Sequence, residues 1–221
     1  MALERTEQPM TAITPRNPRE ERRQLHLELS RSQLLDAAEE IFGQKGFHET
    51  TLKEIADRAD FSVGSVYSFF ENKDDLYVSV WLRRGSEFLP EFAKAIDGAA
   101  DGLDAISRIV DFEVSFLRSR PSFSNLYLRT TGTLVPISNE GALEQVHENA
   151  AAVLQMQSDV IASGQADGSV RSGDPAALSR ILSGMVQAFQ TVDAEMSGAS
   201  ASTMSLEELH SMVRSAFTAE R

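Results

Sequence analysis

Residues 34–76 read LLDAAEEIFGQKGFHETTLKEIADRADFSVGSVYSFFENKDDL, and this stretch decides the fold because consecutive short helices can be placed on it. Apolar residues recur at three- and four-residue steps, which predicts a helix over residues 25–45 that stops at Gly46. Thr51 is followed three residues later by Glu54, which predicts a capping box and a second helix that begins at once.

A third helix and the start of a fourth complete this pattern. Ser62 can cap the third helix and Asn72 the fourth, which should run toward Phe88 before Pro90 kinks or interrupts it. Two helices joined by a turn of a few residues, with a helix before and after them, are typical of a helix-turn-helix. The sequence therefore predicts a small helical head near its N-terminus.

The rest of the chain shows helical periodicity and no strand alternation, which predicts an all-α fold. Further helices are expected over residues 103–119, 123–134, 141–163, 175–196 and 206–219.

We predict three parts: a disordered arm over residues 1–24, a helix-turn-helix domain over residues 25–76, and a larger helical domain over residues 77–221. No flexible linker separates the last two, so the fourth helix should join them stiffly. The arm is either a solvated tail or a segment that contacts phosphates or the minor groove. Its basic residues include Arg16, Arg19, Arg22 and Arg23.

Composition limits the classes of function. The net charge of -12 counts against nucleic-acid binding, and residues 1–80 hold 10 Lys and Arg against 15 Asp and Glu. DNA binding must therefore rest on local geometry. The chain has no cysteine and its four histidines are scattered, so we expect no metal site and no thiol chemistry. No secretion signal or membrane-length apolar run is present, which favours a cytoplasmic protein with no membrane partner.

The stretch at residues 34–76 resembles the N-terminal signature of the TetR family of bacterial regulators. It shares Gly-Phe after the first helix, Thr-Thr at the start of the second, Gly-Ser-Val-Tyr in the third and Phe-x-x-Lys-x-x-Leu at the exit. The resemblance implies a homodimer whose third helices enter successive major grooves of a palindromic double-stranded operator. It also implies that the helices over residues 141–163 and 175–196 form the dimer interface.

The resemblance assigns DNA contacts to the start of the second helix, the third helix and the start of the fourth. The expected residues are Thr50, Thr51, Ser62, Val63, Gly64, Ser65, Tyr67, Ser68 and Lys73. Each also has an interpretation without DNA, such as helix capping, core packing or a solvated lysine. Many relatives carry basic or aromatic residues where this chain has Val63 and Ser68, and a histidine or tyrosine where it has Phe69. Direct base readout should therefore be modest, with shape readout or the arm supplying the rest.

The resemblance also implies a pocket for a small-molecule effector in the larger domain, apolar and with few polar anchors. Core packing is the alternative for every bulky residue there. Arg118, Arg120 and Arg129 could neutralise an acidic ligand or lie in solvent. The fourth helix, shared by both domains, is expected to transmit the effect of effector binding to the head. The candidate pocket residues are Trp81, Phe88, Phe92, Phe112, Phe116, Phe123, Tyr127 and Met156.

These observations predict a transcriptional regulator, most simply a repressor released from its operator by an unidentified effector and needing no cofactor. An enzyme is a weaker hypothesis, because the sequence has no nucleophile elbow, Walker A loop, dinucleotide fingerprint or zinc-protease motif. A helical dimer that acts through protein contacts, with weak or lost DNA binding, stays open. The acidic head and the absence of basic residues at Val63 and Ser68 favour that alternative.

Overall fold

The computed structural model describes residues 17–130, 140–193 and 203–220, and the elements within these ranges are helices joined by short turns. The only β-type pairing there is an isolated bridge between Val170 and Thr218. The predicted all-α fold is therefore confirmed. In chain order the helices are α1 (Pro18–Lys45), α2 (Leu52–Ala59), α3 (Val63–Tyr67), α4 (Lys73–Ile96), α5 (Gly102–Arg118), α6 (Pro121–Thr130), α7 (Glu140–Asp167), α8 (Pro175–Val192) and α9 (Leu206–Phe217).

The helix starts in the head follow the predicted caps. The Thr51 hydroxyl accepts a hydrogen bond from the Glu54 amide, and the Glu54 carboxylate accepts one from the Thr51 amide at 2.9 Å, which completes the capping box. The Ser62 and Asn72 side chains cap α3 and α4 in the same manner. Asp60, at the end of α2, adopts a left-handed φ of 60°, which gives the tight turn into α3.

The start of α1 and the course of α4 differ from the sequence expectation. Residues 18–24, predicted as part of a disordered arm, are helical because α1 begins at Pro18, with Asn17 as its cap. Proline suits the first position of a helix, where its missing N–H has no partner to lose. Pro90 does not interrupt α4, which continues to Ile96. The remainder of the predicted arm, including Arg16, lies outside the described residues.

The head and the larger domain share one continuous apolar core. In the head, the Phe42 and Phe47 rings pack against Tyr77 of α4, with ring centroids 5.1 and 5.0 Å away. In the larger domain, α5 packs among α4, α7, α8 and α9. The start of α5 touches the end of α7, because a Cβ added at Gly102 would lie 2.2 Å from the Gly164 Cα. Within the described ranges, no helix combines the length and apolar composition that a membrane span requires.

Candidate DNA interface and ligand cavity

The outer edge of α3 is polar and faces away from the protein. Val66 is fully buried and anchors the helix, whereas Ser62, Gly64 and Ser68 are exposed. Tyr67 is 57% exposed, so its ring does not belong to the core of the head. Val63 and Ser65 are half-buried, and the Ser65 hydroxyl pairs with that of Ser62 at 2.8 Å. This edge is available to a partner surface, as the sequence predicted.

Two residues assigned to DNA contact have their polar atoms engaged within the protein instead. Thr50 is only 1% exposed, and its hydroxyl donates to the Gly46 carbonyl at 2.7 Å. The Lys73 ammonium donates to the carbonyls of Phe47 and Thr50, both at 2.9 Å, and lies 4.4 Å from the centroid of the Phe47 ring. These contacts explain why a lysine is found at the N-terminus of α4, where the helix dipole disfavours a positive charge. Both residues hold the turn between α1 and α2, and their contact with DNA stays a prediction. Thr51 remains exposed beside them.

The acidic side chains of the head neutralise most of its basic ones. Lys45 pairs with Glu54, Lys53 with Asp57, and Arg58 with Glu40. Several of the acidic side chains of the head are therefore engaged in ion pairs within the protein. Cations without a described acidic partner lie in the first turns of α1, at Arg19, Arg22 and Arg23.

The first turns of α1 precede the residues that contact α4. Arg31 of α1 donates to the Ser79 hydroxyl at 3.2 Å and stacks on the Phe70 ring at 5.0 Å. Arg83 of α4 pairs with Asp36, further along α1. Residues 18–29 precede these contacts along α1. These turns are exposed throughout.

A cavity of about 390 Å³ lies between α4, α5, α6, α7 and α8. Its volume falls within the range of small-molecule sites. Five of the predicted pocket residues line it, namely Trp81, Phe88, Phe116, Phe123 and Tyr127. The other three, Phe92, Phe112 and Met156, do not line this cavity and pack in or against the core; Phe92 is fully buried. Leu89, Val146, Val153, Leu154 and Val186 complete much of the apolar wall.

The arginines considered for an acidic ligand bind other parts of the protein. Arg118 pairs with buried Asp193 at 2.7 and 3.0 Å. Arg120 lies 3.7 Å from the centroid of the Phe116 ring and pairs with Glu87 at 3.3 Å. The Arg129 guanidinium donates to two backbone carbonyls at the end of α1. None of these three arginines lines the cavity.

A buried polar chain in the cavity wall was not foreseen from the sequence. Ser183 donates to the Gln157 carbonyl oxygen at 2.8 Å, and the Gln157 amide donates to the Glu113 carboxylate at 2.7 Å. Burial raises the pKa of Glu113 to about 7. Burial, followed by the charge of Glu113, raises the pKa of Tyr127 to about 12. The available signal was an acid at residue 113 within the apolar face of α5, next to Val114.

Two helices connect the cavity to the head. Arg84 of α4 lines the cavity and pairs with Glu39 of α1 at 2.7 Å, and Glu39 is only 4% exposed. On α6, Tyr127 lines the cavity while Arg129 donates to the Gly43 carbonyl of α1 at 2.7 Å. The sequence predicted that α4 transmits effector binding to the head, and α6 provides a second physical link between the cavity and α1.

Comparison with known proteins starts with the head, which a family model matches. The family model described as bacterial regulatory proteins, tetR family, matches residues 34–80, which cover the end of α1 through the start of α4. The head is therefore of the kind found in the tetR family of bacterial regulatory proteins. Among the described residues of this regulator, no three of the His, Cys, Asp and Glu side chains come together as a metal site would require.

Similarity also extends past the head. The chain is 24% identical over 148 residues to the fatty acid metabolism regulator protein of Bacillus subtilis (strain 168), covering 67% of this chain and 74% of that protein. Its fold resembles FadR from Bacillus subtilis in complex with stearoyl-CoA, with a TM-score of 0.69, 19% identity, and coverage of 83% and 95%. It also resembles AibR in complex with isovaleryl coenzyme A and operator DNA, with a TM-score of 0.69, 13% identity, and coverage of 84% and 96%.

Proposed function

We propose that this regulator is a repressor that leaves its operator when an acyl-coenzyme A places its acyl chain in the cavity. The observation that carries the proposal is an apolar cavity whose wall includes Arg84 and Tyr127, on the two helices that hold the head through α1. The complexes of FadR with stearoyl-CoA and of AibR with isovaleryl coenzyme A support an acyl-coenzyme A ligand.

Release follows from linkage between the two sites. The dimer has one form whose heads fit the operator and one whose heads do not. A ligand can weaken DNA binding only by the ratio of its affinities for these two forms. Filling the cavity displaces side chains on α4 and α6. The salt bridge of Arg84 with Glu39 and the hydrogen bonds of Arg129 transmit that displacement to α1, and through the shared core to α3.

We also propose that α7 and α8 form the dimer interface, in keeping with the sequence expectation. Ala177, Ile181, Gly184 and Ala188 recur at steps of four, three and four residues and are exposed, so they form one small, apolar face of α8. Ile181 is 52% exposed, and a Cβ added at Gly184 would meet nothing within 4 Å. An exposed apolar face of this kind suits close packing against a second copy.

The proposal is tested by fluorescence anisotropy with labelled DNA from the region upstream of the gene. Stearoyl-CoA and isovaleryl coenzyme A are titrated into the protein–DNA complex, with free coenzyme A as the matched control. We expect at least one acyl thioester to weaken DNA binding by about tenfold, a coupling of ordinary size, and coenzyme A alone to have no effect. Tighter DNA binding with the thioesters would contradict release. Absence of binding at low salt would favour the dimer that acts through protein contacts.

Removing Arg22 and Arg23 should weaken operator binding because these cations are exposed and have no described acidic partners. We expect the double alanine variant to bind about tenfold more weakly and to lower the slope of log affinity against log salt by about 1 to 2, one for each lost phosphate contact. Arg214→Ala removes an exposed arginine on α9 and serves as the control. An unchanged salt slope in the double variant would mean that the first turns of α1 do not contact DNA.

A further inference from the structure

We propose that the effector buries in this cavity an apolar group that carries a hydrogen-bond donor, a hydroxyl or an ammonium, and that the Glu113 carboxylate accepts its hydrogen bond. The inference deepens the proposed function, because it defines the chemistry of the part of the effector that enters the same cavity. Within the effector class already proposed, it favours a hydroxylated acyl group over a plain saturated one.

Glu113 is held in place by a chain of buried groups that leaves part of its carboxylate available. Gln157 is fully buried, and its amide donates to only one Glu113 oxygen, Oε1, at 2.7 Å. Ser183 donates to the carbonyl oxygen of the same amide, which fixes its orientation. Among the described residues Glu113 has no other hydrogen-bond partner, and its residue surface remains partly accessible where it lines the cavity. A carboxylate held in this way is oriented to accept a further hydrogen bond.

A second polar group in the wall has an oxygen atom without a hydrogen-bond partner among the described residues. Gln190 lines the cavity, is only 3% exposed, and its Oε1 atom has no hydrogen-bond partner among the described residues. Buried amide and carboxylate groups without partners are costly, so they favour a ligand that satisfies them. The remaining wall is mostly aliphatic and aromatic, which restricts the rest of the ligand to apolar groups.

Charge in the cavity discriminates against a buried anion. Among the described residues, Arg84 is the one basic side chain that lines it, and it is engaged with Glu39 at 2.7 and 2.8 Å and with Glu87 at 2.7 Å. A ligand carboxylate near Glu113 would therefore meet a like charge without a free cation. A ligand ether or thioester oxygen near Glu113 can only accept hydrogen bonds, so it leaves the ionised carboxylate unpaired.

The test uses the only tryptophan of the chain, Trp81, which lines the cavity and reports occupancy directly by its fluorescence. The full-length protein is titrated with decylammonium, decyl alcohol, decyl methyl ether and decanoate at about pH 8, where Glu113 is mostly ionised. Glu113→Gln keeps the shape of the side chain and removes its charge. Glu91→Gln makes the same change at an exposed site of α4 and is the matched control.

In the wild type and in Glu91→Gln, we expect decylammonium and decyl alcohol to bind about tenfold more tightly than the ether and decanoate. Glu113→Gln should lose the preference for decylammonium over decanoate while binding the ether as the wild type does, which shows that the cavity is intact. Decanoate binding as tightly as decylammonium in the wild type, or an unchanged ranking in Glu113→Gln, would overturn the inference. No coenzyme A or DNA is present, so these results are independent of operator release by acyl thioesters.

Discussion

Replacing Glu39 with glutamine is expected to lower the free energy of unfolding by about 3 kcal/mol, the lower end of the usual loss when one partner of a buried ion pair is removed. Glu39 is 4% exposed and accepts hydrogen bonds from Arg84 at 2.7 and 2.8 Å and from Arg83 at 2.9 Å. In the variant, the guanidinium groups of Arg83 and Arg84 stay partly buried but lose the negative charge of Glu39. Their remaining pairs with Asp36 and Glu87 keep the loss from being larger.

Urea unfolding at a fixed protomer concentration measures this effect, since dimerisation makes stability depend on concentration. Asp36→Asn removes another acid that pairs with Arg83, but the side chain of Asp36 is 65% exposed. We expect that control to change the free energy of unfolding by less than about 1 kcal/mol. Equal losses in the two variants would contradict the idea that the buried pair, rather than surface charge, holds the head to α4.

Replacing Glu113 with glutamine is expected to stabilise the protein increasingly as the pH rises from about 4.5 to about 7, and by a nearly constant amount above that range. Burial raises the pKa of Glu113 from 4.5 to about 7. A carboxyl with a raised pKa in the folded state favours folding while it is protonated, below about pH 4.5. That contribution is lost as the pH rises through the folded-state pKa. Glutamine has no such loss, so the difference between variant and wild type should grow by about 2 to 3 kcal/mol.

The comparison is made by urea unfolding of both proteins at about pH 5 and about pH 8. Arg84 and Tyr127 are the other charged or titratable groups that line the same cavity. The pKa of Tyr127 is about 12, outside the range tested, and Arg84 stays charged throughout. Both groups are present in each protein, so their effects largely cancel. A stability difference that does not change with pH would mean that Glu113 is not ionising in a buried environment.

The helix-turn-helix head could be predicted from the sequence because its signals are local. The caps at Thr51, Ser62 and Asn72 each involve a backbone amide within three residues, so neighbouring residues alone specify where the helices begin. The face that anchors α3, with Val66 buried, follows from helical periodicity. The same locality explains why the family resemblance was visible in this part of the chain.

The cavity was only partly predictable. Periodicity marks the apolar face of a helix but does not say which neighbour covers it, so Trp81 and Phe123 could not be told from core residues such as Phe92. Glu113 gave a signal, an acid within an apolar face, but its meaning depends on Gln157 and Ser183, which lie on two other helices.

The sequence by itself determined the all-α class, the helices of the head and the polar edge of α3, because those depend on groups a few residues apart. Only the tertiary structure decided which polar side chains turn inward. Lys73 reaches carbonyls 26 and 23 residues earlier in the chain, and Arg129 reaches one 86 residues earlier. Contacts at such separations form only when whole helices pack together, and no pattern along the chain specifies them in advance.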